Sequence, residues 1–360
     1  MTSPRVVLSG YYGFNNLGDE LILYVLVHAL KARGAEVTVL SASPQQTAET
    51  FDVQSVSRTK PAAILGALRN ADLLISGGGG LFQDVTGPAS PVYYGGLLRL
   101  ASALGVKTGY WAQGAGPLKT FLGRTFTAFA LSCCEDIIVR DEKSAQLLKA
   151  LPVKKLNPKV SADPVWLFEP KQYLASLGIS DSSAKSELVF RIGISLREWH
   201  ALSVEGLKAL ATALHLYCRT LKKAVEIALL PFQANEDTEL LKQFGEYLKQ
   251  AGFNGKVQLY TPENALATLC QCDALIGMRF HSLILGLLAG VRVYGLPYDP
   301  KVSTLLEDCG LKGTEVEILN SIQSEGLIEA LGDQYPSIDL EFLKARARLN
   351  LDILDKWLQK

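Results

Sequence analysis

Histidine is scarce in this chain: four residues in 360, at positions 28, 200, 215 and 281. Chemistry that needs a cluster of imidazoles is hard to build from so few, and each histidine can be weighed singly. Cysteine is sparse too. Of the six, Cys133 and Cys134 are adjacent, Cys270 and Cys272 are one residue apart, and Cys218 and Cys309 stand alone. That spacing fits neither a disulfide framework nor a zinc pair, so small buried thiols are the expectation. Net charge is missing as well: 36 basic residues balance 36 acidic ones. Nucleic-acid phosphates select a basic surface, so a nucleic-acid partner is excluded, whereas a local cationic pocket is not. The longest apolar runs, around Leu21–Leu30 and Leu283–Val291, fall short of the roughly 20 residues of a membrane span. The N-terminus enters Val6-Val7-Leu8 without the charged start and long apolar core of a signal peptide. A cytoplasmic protein is expected, with peripheral contact at the inner face of the membrane left open.

What is present is a chain too apolar for disorder, with 48% hydrophobic residues. At about 150 residues per domain, its length suggests two domains. Short β-branched runs alternate with helical patterns. Val6–Ser9, Glu36–Leu40, Leu73–Ser76, Lys107–Trp111 and Ile137–Arg140 read as strands, separated by helices near 20–33, 60–70, 92–104, 120–134 and 144–151. After a break at 161–190, with a polar loop at Ser180–Ser186, the alternation restarts. It runs through strands at Arg191–Ser195, Ala224–Leu230, Val257–Tyr260, Ala274–Ile276 and Arg292–Gly295. Such alternation predicts an α/β fold of two Rossmann-like parallel-sheet domains, covering 1–168 and 169–337. The remaining segment, 338–360, places Leu343, Ala347, Leu351, Leu354 and Leu358 on one helical face. It is expected to pack back on the first domain.

Parallel sheets bind ligands at the carboxyl ends of their strands, where loops and helix N-termini offer amide N–H groups. Few segments occupy those places. Gly10-Tyr-Tyr-Gly13-Phe-Asn15-Asn16-Leu-Gly18-Asp19-Glu20 follows the first strand. Its glycines permit a tight turn, and Asn16 and Asp19 can bind sugar hydroxyls or cap the next helix, with Asp19 read as its N-cap. Gly77-Gly78-Gly79-Gly80 follows another strand and invites close backbone approach. Gln113 stands at a third strand exit. Arg140, at a fourth, can bind an anion or pair with Asp163. In the second half, Arg197, Gln233, Arg279, His281 and Lys301 lie along one rim. Cations near helix N-termini oppose the helix dipole, and an anion between them would relieve the conflict.

Together the stretches GYYGFNNLGDE, GGGG, WAQGAGP, VRDEKS, SADP, ISLREW, GMRFHSLI and YDPKVS resemble the polysaccharide pyruvyl transferase family, of the type that modifies cell-surface glycans. The resemblance implies a GT-B-like pair of domains facing across a cleft, with the glycan acceptor on the first and phosphoenolpyruvate on the second. It further implies transfer of the enolpyruvyl group onto two hydroxyls of one sugar as a cyclic ketal. The acceptor would be N-acetylmannosamine in a lipid-diphosphate-linked cell-envelope precursor. By motif, Arg140, His281 and Lys301 fall at the phosphoenolpyruvate site, and Asn16 and Asp19 at the N-terminal site. His281 and Asp19 are then the expected acid/base groups. Arg140, Arg279, Lys301 and Arg197 bind phosphoenolpyruvate, and Asn16, Asn15, Gly13, Gly78, Gly79 and Gln113 bind the acceptor. The chemistry requires neither metal nor cofactor, and no metal-type ligand cluster is visible. Two other readings use the same frame: a nucleotide-sugar glycosyltransferase, and a glycan- or anion-binding protein without catalysis.

Overall fold

The computed structural model describes residues 3–84, 87, 89–152, 156–179, 187–332 and 334–359; the loop read at Ser180–Ser186 lies outside them. The chain divides into two units, Met1–Phe168 with Glu341–Lys360, and Glu169–Leu340. In the first, β1 (Arg5–Ser9), α1 (Leu17–Lys31), β2 (Glu36–Ser41), α2 (Pro44–Phe51), β3 (Gln54–Ser57) and α3 (Pro61–Arg69) come in turn. They are followed by β4 (Leu73–Gly77), α4 (Ala89–Ala103), β5 (Lys107–Gln113), α5 (Phe121–Leu131), β6 (Ile137–Val139), α6 (Glu142–Lys149) and β7 (Lys159–Val160). These strands make one sheet in the order β3-β2-β1-β4-β5-β6-β7, with every pairing parallel. β4 is buried at all positions and β1 from Val6 onward, as a sheet covered on both faces requires.

The second unit contains α7 (Pro170–Ser176), β8 (Val189–Ser195), α8 (Val204–Thr220), β9 (Ala224–Leu229), α9 (Ala234–Gln250), β10 (Lys256–Leu259) and α10 (Pro262–Cys270). It continues with β11 (Ala274–Gly277), α11 (Phe280–Leu288), β12 (Arg292–Gly295), α12 (Pro300–Cys309) and α13 (Ser324–Leu331). Its strands form a parallel sheet, β10-β9-β8-β11-β12. Both sheets reverse their strand order beside the first strand, at β1/β4 and at β8/β11. Loops leaving the two strands of such a pair run to opposite faces, and the crevice between them is where open α/β sheets take ligands.

The last helix, α14 (Leu340–Leu358), belongs to the first unit from Glu341 onward. Its buried face is Leu343, Ala347, Asn350, Leu354 and Trp357, rotated from the all-aliphatic stripe predicted. Two polar-capable residues take the places assigned to Leu351 and Leu358 because each finds partners below. Asn350 Nδ2 donates to the Ala162 carbonyl at 2.9 Å, and Trp357 Nε1 to Asp136 at 3.0 Å. Gly109 on β5 makes room for that indole: a Cβ there would lie 2.3 Å from the Trp357 ring.

Other departures from the sequence reading are local. The first helix starts at Leu17, not Glu20, because Asn16 rather than Asp19 is its N-cap. The α2–β3 pair was not anticipated; β3 is a sheet-edge strand of sequence Gln-Ser-Val-Ser with little apolar signal. α7 and α13, of seven and eight residues, were missed for similar reasons of length. All six cysteines are free thiols.

Candidate active site

At the β1/β4 switch point, the chain leaving β1 turns through Gly10–Asn16 into α1. Tyr12 is fully buried beneath this turn and donates to the Gly77 carbonyl at 2.6 Å, tying it to the end of β4. Gly13 has φ 77°, and a Cβ would strike Ser41 Oγ at 2.1 Å, so only glycine fits. Asn16 Oδ1 accepts from the amides of Gly18 (3.1 Å) and Asp19 (3.4 Å). Capping by Asn16 releases the Asp19 carboxylate, which accepts from the Gly79 amide at 3.2 Å and joins the two glycine-rich loops. Asn15, exposed and left-handed, accepts from Gln46 at 3.1 Å.

The loop amides are not vacant. Glu20 Oε1 accepts from Gly13 N at 2.8 Å, and the Phe14 and Asn15 amides also act on this carboxyl. Burial pushes Glu20 up to about 7, with Asp19 adding repulsion and the three amides opposing both. A group able to exchange a proton near neutrality therefore sits at the root of the first loop, and sequence reading passed over it. The motif gave a signal, since Glu20 follows Asp19 directly in the first turn of α1.

Gln113, expected at the acceptor, braces the end of β4. It is buried, and its amide donates to the Ser76 carbonyl at 2.5 Å and hydroxyl at 3.0 Å. The cause is local: Ala112 adopts φ 53° at a register shift in β5. Gly78 and Gly79 remain at the turn itself.

Arg140 is also buried, with Nη1 3.2 Å from Asp163 and Nε 3.5 Å from Asp141. Asp163 meanwhile caps the following turn through Val165 N, at 3.0 Å, and Asp141 caps α6 through Ser144 N. The ion pair with Asp163, one of the two sequence alternatives for Arg140, is formed. Arg140 lies in the first unit, whereas Arg197, Arg279, His281 and Lys301 lie in the second.

In that second unit the four groups stand at the ends of β8, β11 and β12. Arg279 occupies the N-cap position of α11, and His281 follows in the first turn. The expected clash between cation and helix dipole is relieved from within. Arg279 Nε donates to Asp237 Oδ2 at 3.2 Å, its Nη2 contacts Asp237 Oδ1, and the same Nη2 lies 3.0 Å from Glu236. Asp237 also accepts from the amides of Phe232 and Gln233, both at 2.9 Å. The anion anticipated beside Arg279 is thus supplied by the first turn of α9, where the adjacent Glu236 and Asp237 were legible but unassigned. Gln233 sits at the N-cap position of that helix.

Arg197 shares Glu236 at 3.3 Å and donates to the Tyr298 hydroxyl at 3.3 Å. Its guanidinium lies 5.3 Å from the Tyr298 ring centroid and 5.9 Å from that of Trp199, whose ring meets Tyr298 edge-on at 4.9 Å. Lys301 also approaches Tyr298, 5.7 Å from the ring centroid, and keeps a loose 4.0 Å contact with Asp299. Burial alone would raise the Tyr298 phenol, but Lys301 and Arg197 outweigh it and bring the group below its ordinary value. Tyr298 stands in the YDPKVS stretch with no sign in the sequence of its role, because Arg197 reaches it from 101 residues away. Among the described residues, no group of three or more His, Cys, Asp or Glu side chains could hold a metal ion. None of their helices is long and apolar enough to cross a membrane.

Residues 16–300 match the sequence profile of the polysaccharide pyruvyl transferase family. Solved structures with similar folds include a UDP-GlcNAc 2-epimerase from Methanocaldococcus jannaschii (TM-score 0.65, 12% identity, 99% of this chain and 100% of the other). A glycosyltransferase from Rickettsia africae gives a TM-score of 0.60 at 12% identity, covering all of both chains. HepE from Anabaena, solved with UDP-glucose, gives 0.59 at 12% identity over 98% of each. No curated protein sequence matches significantly.

Proposed function

The chain belongs to the polysaccharide pyruvyl transferase family, and on that premise we propose that this transferase moves the enolpyruvyl group of phosphoenolpyruvate onto two hydroxyls of a glycan sugar. The observation that carries the reading is the cluster at the β8/β11 switch point. There Arg197 and Lys301 meet Tyr298, beside an Arg279 held by its own carboxylates and with His281 in the first turn of α11. Phosphoenolpyruvate brings a carboxylate and a phosphate. Arg197 offers a planar fork for one, and Lys301, the least engaged cation, a point charge for the other.

The reaction balances without a redox partner. A proton adds to the methylene carbon, one sugar hydroxyl attacks C2, the C–O bond to phosphate breaks, and the second hydroxyl closes the ketal. Of the two hydroxyl protons, one replaces that delivered to the new methyl group and one leaves on phosphate. His281 serves as donor to the methylene carbon. Asp19, held by the Gly79 amide, orients or deprotonates an acceptor hydroxyl beside Gly78, Asn15 and Gly13. Arg140 acts on this site through the loop it fixes with Asp163. The acceptor assigned by family resemblance is N-acetylmannosamine in a lipid-diphosphate-linked precursor, handled in the cytoplasm.

A second reading, a nucleotide-sugar glycosyltransferase, is favoured by one observation: HepE, of similar fold, was solved with UDP-glucose. Assay of phosphate release from phosphoenolpyruvate, with and without mannosamine-type acceptors, tests the first. Acceptor-dependent release that disappears in His281→Ala supports it. Thermal stabilisation by UDP-sugars but not by phosphoenolpyruvate would transfer the assignment to the second.

A further inference from the structure

Among the described residues, the outer face of α4 and α5 is apolar and exposed. On α5, Phe121 is 73% exposed, Leu122 76% and Phe129 46%. On α4, Val92 and Leu100 are exposed two turns apart, and Leu104 follows the helix end. The helices pack closely, with Gly95 against Ala130 and Phe126, so these side chains belong to one surface. Arg99 links its halves, its guanidinium 4.2 Å from the Phe129 ring centroid. Monomeric proteins seldom expose contiguous apolar surface without a partner.

The segment that carries it is basic. In a chain neutral overall, residues 85–134 contain no aspartate or glutamate, and four basic residues: Arg99, Lys107, Lys119 and Arg124. Lys119 and Arg124 flank the exposed Phe121-Leu122 pair. This pair is not a frayed end. The buried Asp84 carboxylate accepts from Lys119 N (2.7 Å), Thr120 N (2.8 Å) and Thr120 Oγ1 (2.6 Å), and Thr120 caps α5 through Gly123 N at 3.0 Å. The same loop adjoins the candidate site: Gly114 N donates to the Gly79 carbonyl at 3.0 Å, and Gly79 N to Asp19.

We propose that the α4–α5 face, led by Phe121 and Leu122 and rimmed by Lys119, Arg124 and Arg99, docks on an anionic lipid surface. Aromatic and aliphatic side chains enter the headgroup boundary while the cations meet lipid phosphates. Its link to an acceptor presented on lipid rests on the function proposed above; the docking itself does not.

Flotation of the full chain with phosphatidylcholine vesicles, with and without phosphatidylglycerol, tests the idea. Wild type should float with the anionic vesicles and far less with the neutral ones. Phe121→Ser/Leu122→Ser should float about tenfold less, and Lys119→Glu should also lose binding, each with unchanged thermal stability because the side chains are exposed. Failure of wild type to float with anionic vesicles overturns the proposal, whether or not the chain dimerises through this face. Equal flotation of the double variant does so too. Phosphate release with a lipid-free acceptor is read separately: its absence in wild type counts against the pyruvyl transfer, and its retention in the double variant confines the defect to docking.

Discussion

Arg279 and Asp237 form a two-pronged ion pair at the base of the second unit's switch point, with the aspartate wholly buried. Removing one partner of such a pair strands a buried charge, which costs about 3–5 kcal/mol. Asp237→Asn is therefore expected to lower unfolding stability by about that much in urea titration. Replacing both residues with apolar ones of similar size should cost less than either single change. Arg279→Lys cannot reproduce the fork and should behave like the aspartate variant.

Tyr298 touches Arg197 through its hydroxyl and both cations through its ring. Tyr298→Phe keeps the ring and loses the hydrogen bond that holds Arg197 in place. The expected result is a kcat/KM for phosphoenolpyruvate reduced about tenfold or more, carried mainly by KM, with little change in melting temperature. Tyr298→Ala should fall further, because both cations lose their aromatic wall.

Asp136 anchors the C-terminal helix to β6, accepting from Lys159, Lys356 and Trp357. Burial opposes its charge, but these three donors prevail and lower it to about 2. A carboxyl depressed on folding stabilises above its unfolded value near 4 and loses that contribution as pH falls toward 2. The contribution is on the order of 2 kcal/mol. Asp136→Asn should show lower stability at neutral pH and a shallower acid limb between about pH 4 and 2, measured by denaturant titration across that window.

Glu20 carries the opposite sign. Its folded value of about 7 exceeds the unfolded value, so the folded chain binds the extra proton between roughly pH 4.3 and 7, and stability falls as pH rises through that window. Glu20→Gln should remove this slope and be the more stable form at pH above 7, while the Gly13–Asn15 loop keeps an acceptor. Proton transfer by Glu20 would be seen separately, as loss of a limb near pH 7 in the activity profile.

Most strands of the two sheets were readable because their β-branched runs are largely buried, and their ends moved by a residue or two, outward at β5 and β8 and inward at β6 and β9. Edge strand β3 was not, since its Gln-Ser-Val-Ser sequence faces partly outward. With it went Arg58, whose guanidinium lies within 4.5–5.3 Å of the Tyr93, Phe14 and Tyr94 ring centroids, beside the first glycine-rich loop. The glycine-rich exits of β1 and β4 were found because a tight turn needs glycine whatever surrounds it.

The scarcity of histidine and the balance of charge left few candidates, and sequence alone could rank them: His281 at a strand exit, with Arg279 and Lys301 nearby in the chain. Periodicity and turn chemistry are local, so they determined most of the strands and longer helices and the positions of the glycine-rich loops. Which cations already have a carboxylate is not local. Only the tertiary structure decided that Asp237 and Glu236 pair with Arg279, that Asp163 pairs with Arg140, and that Lys301 and Arg197 both reach Tyr298. Those partners lie from 3 to 101 residues apart along the chain, and electrostatic energy depends on distance in space, which packing sets and sequence spacing does not.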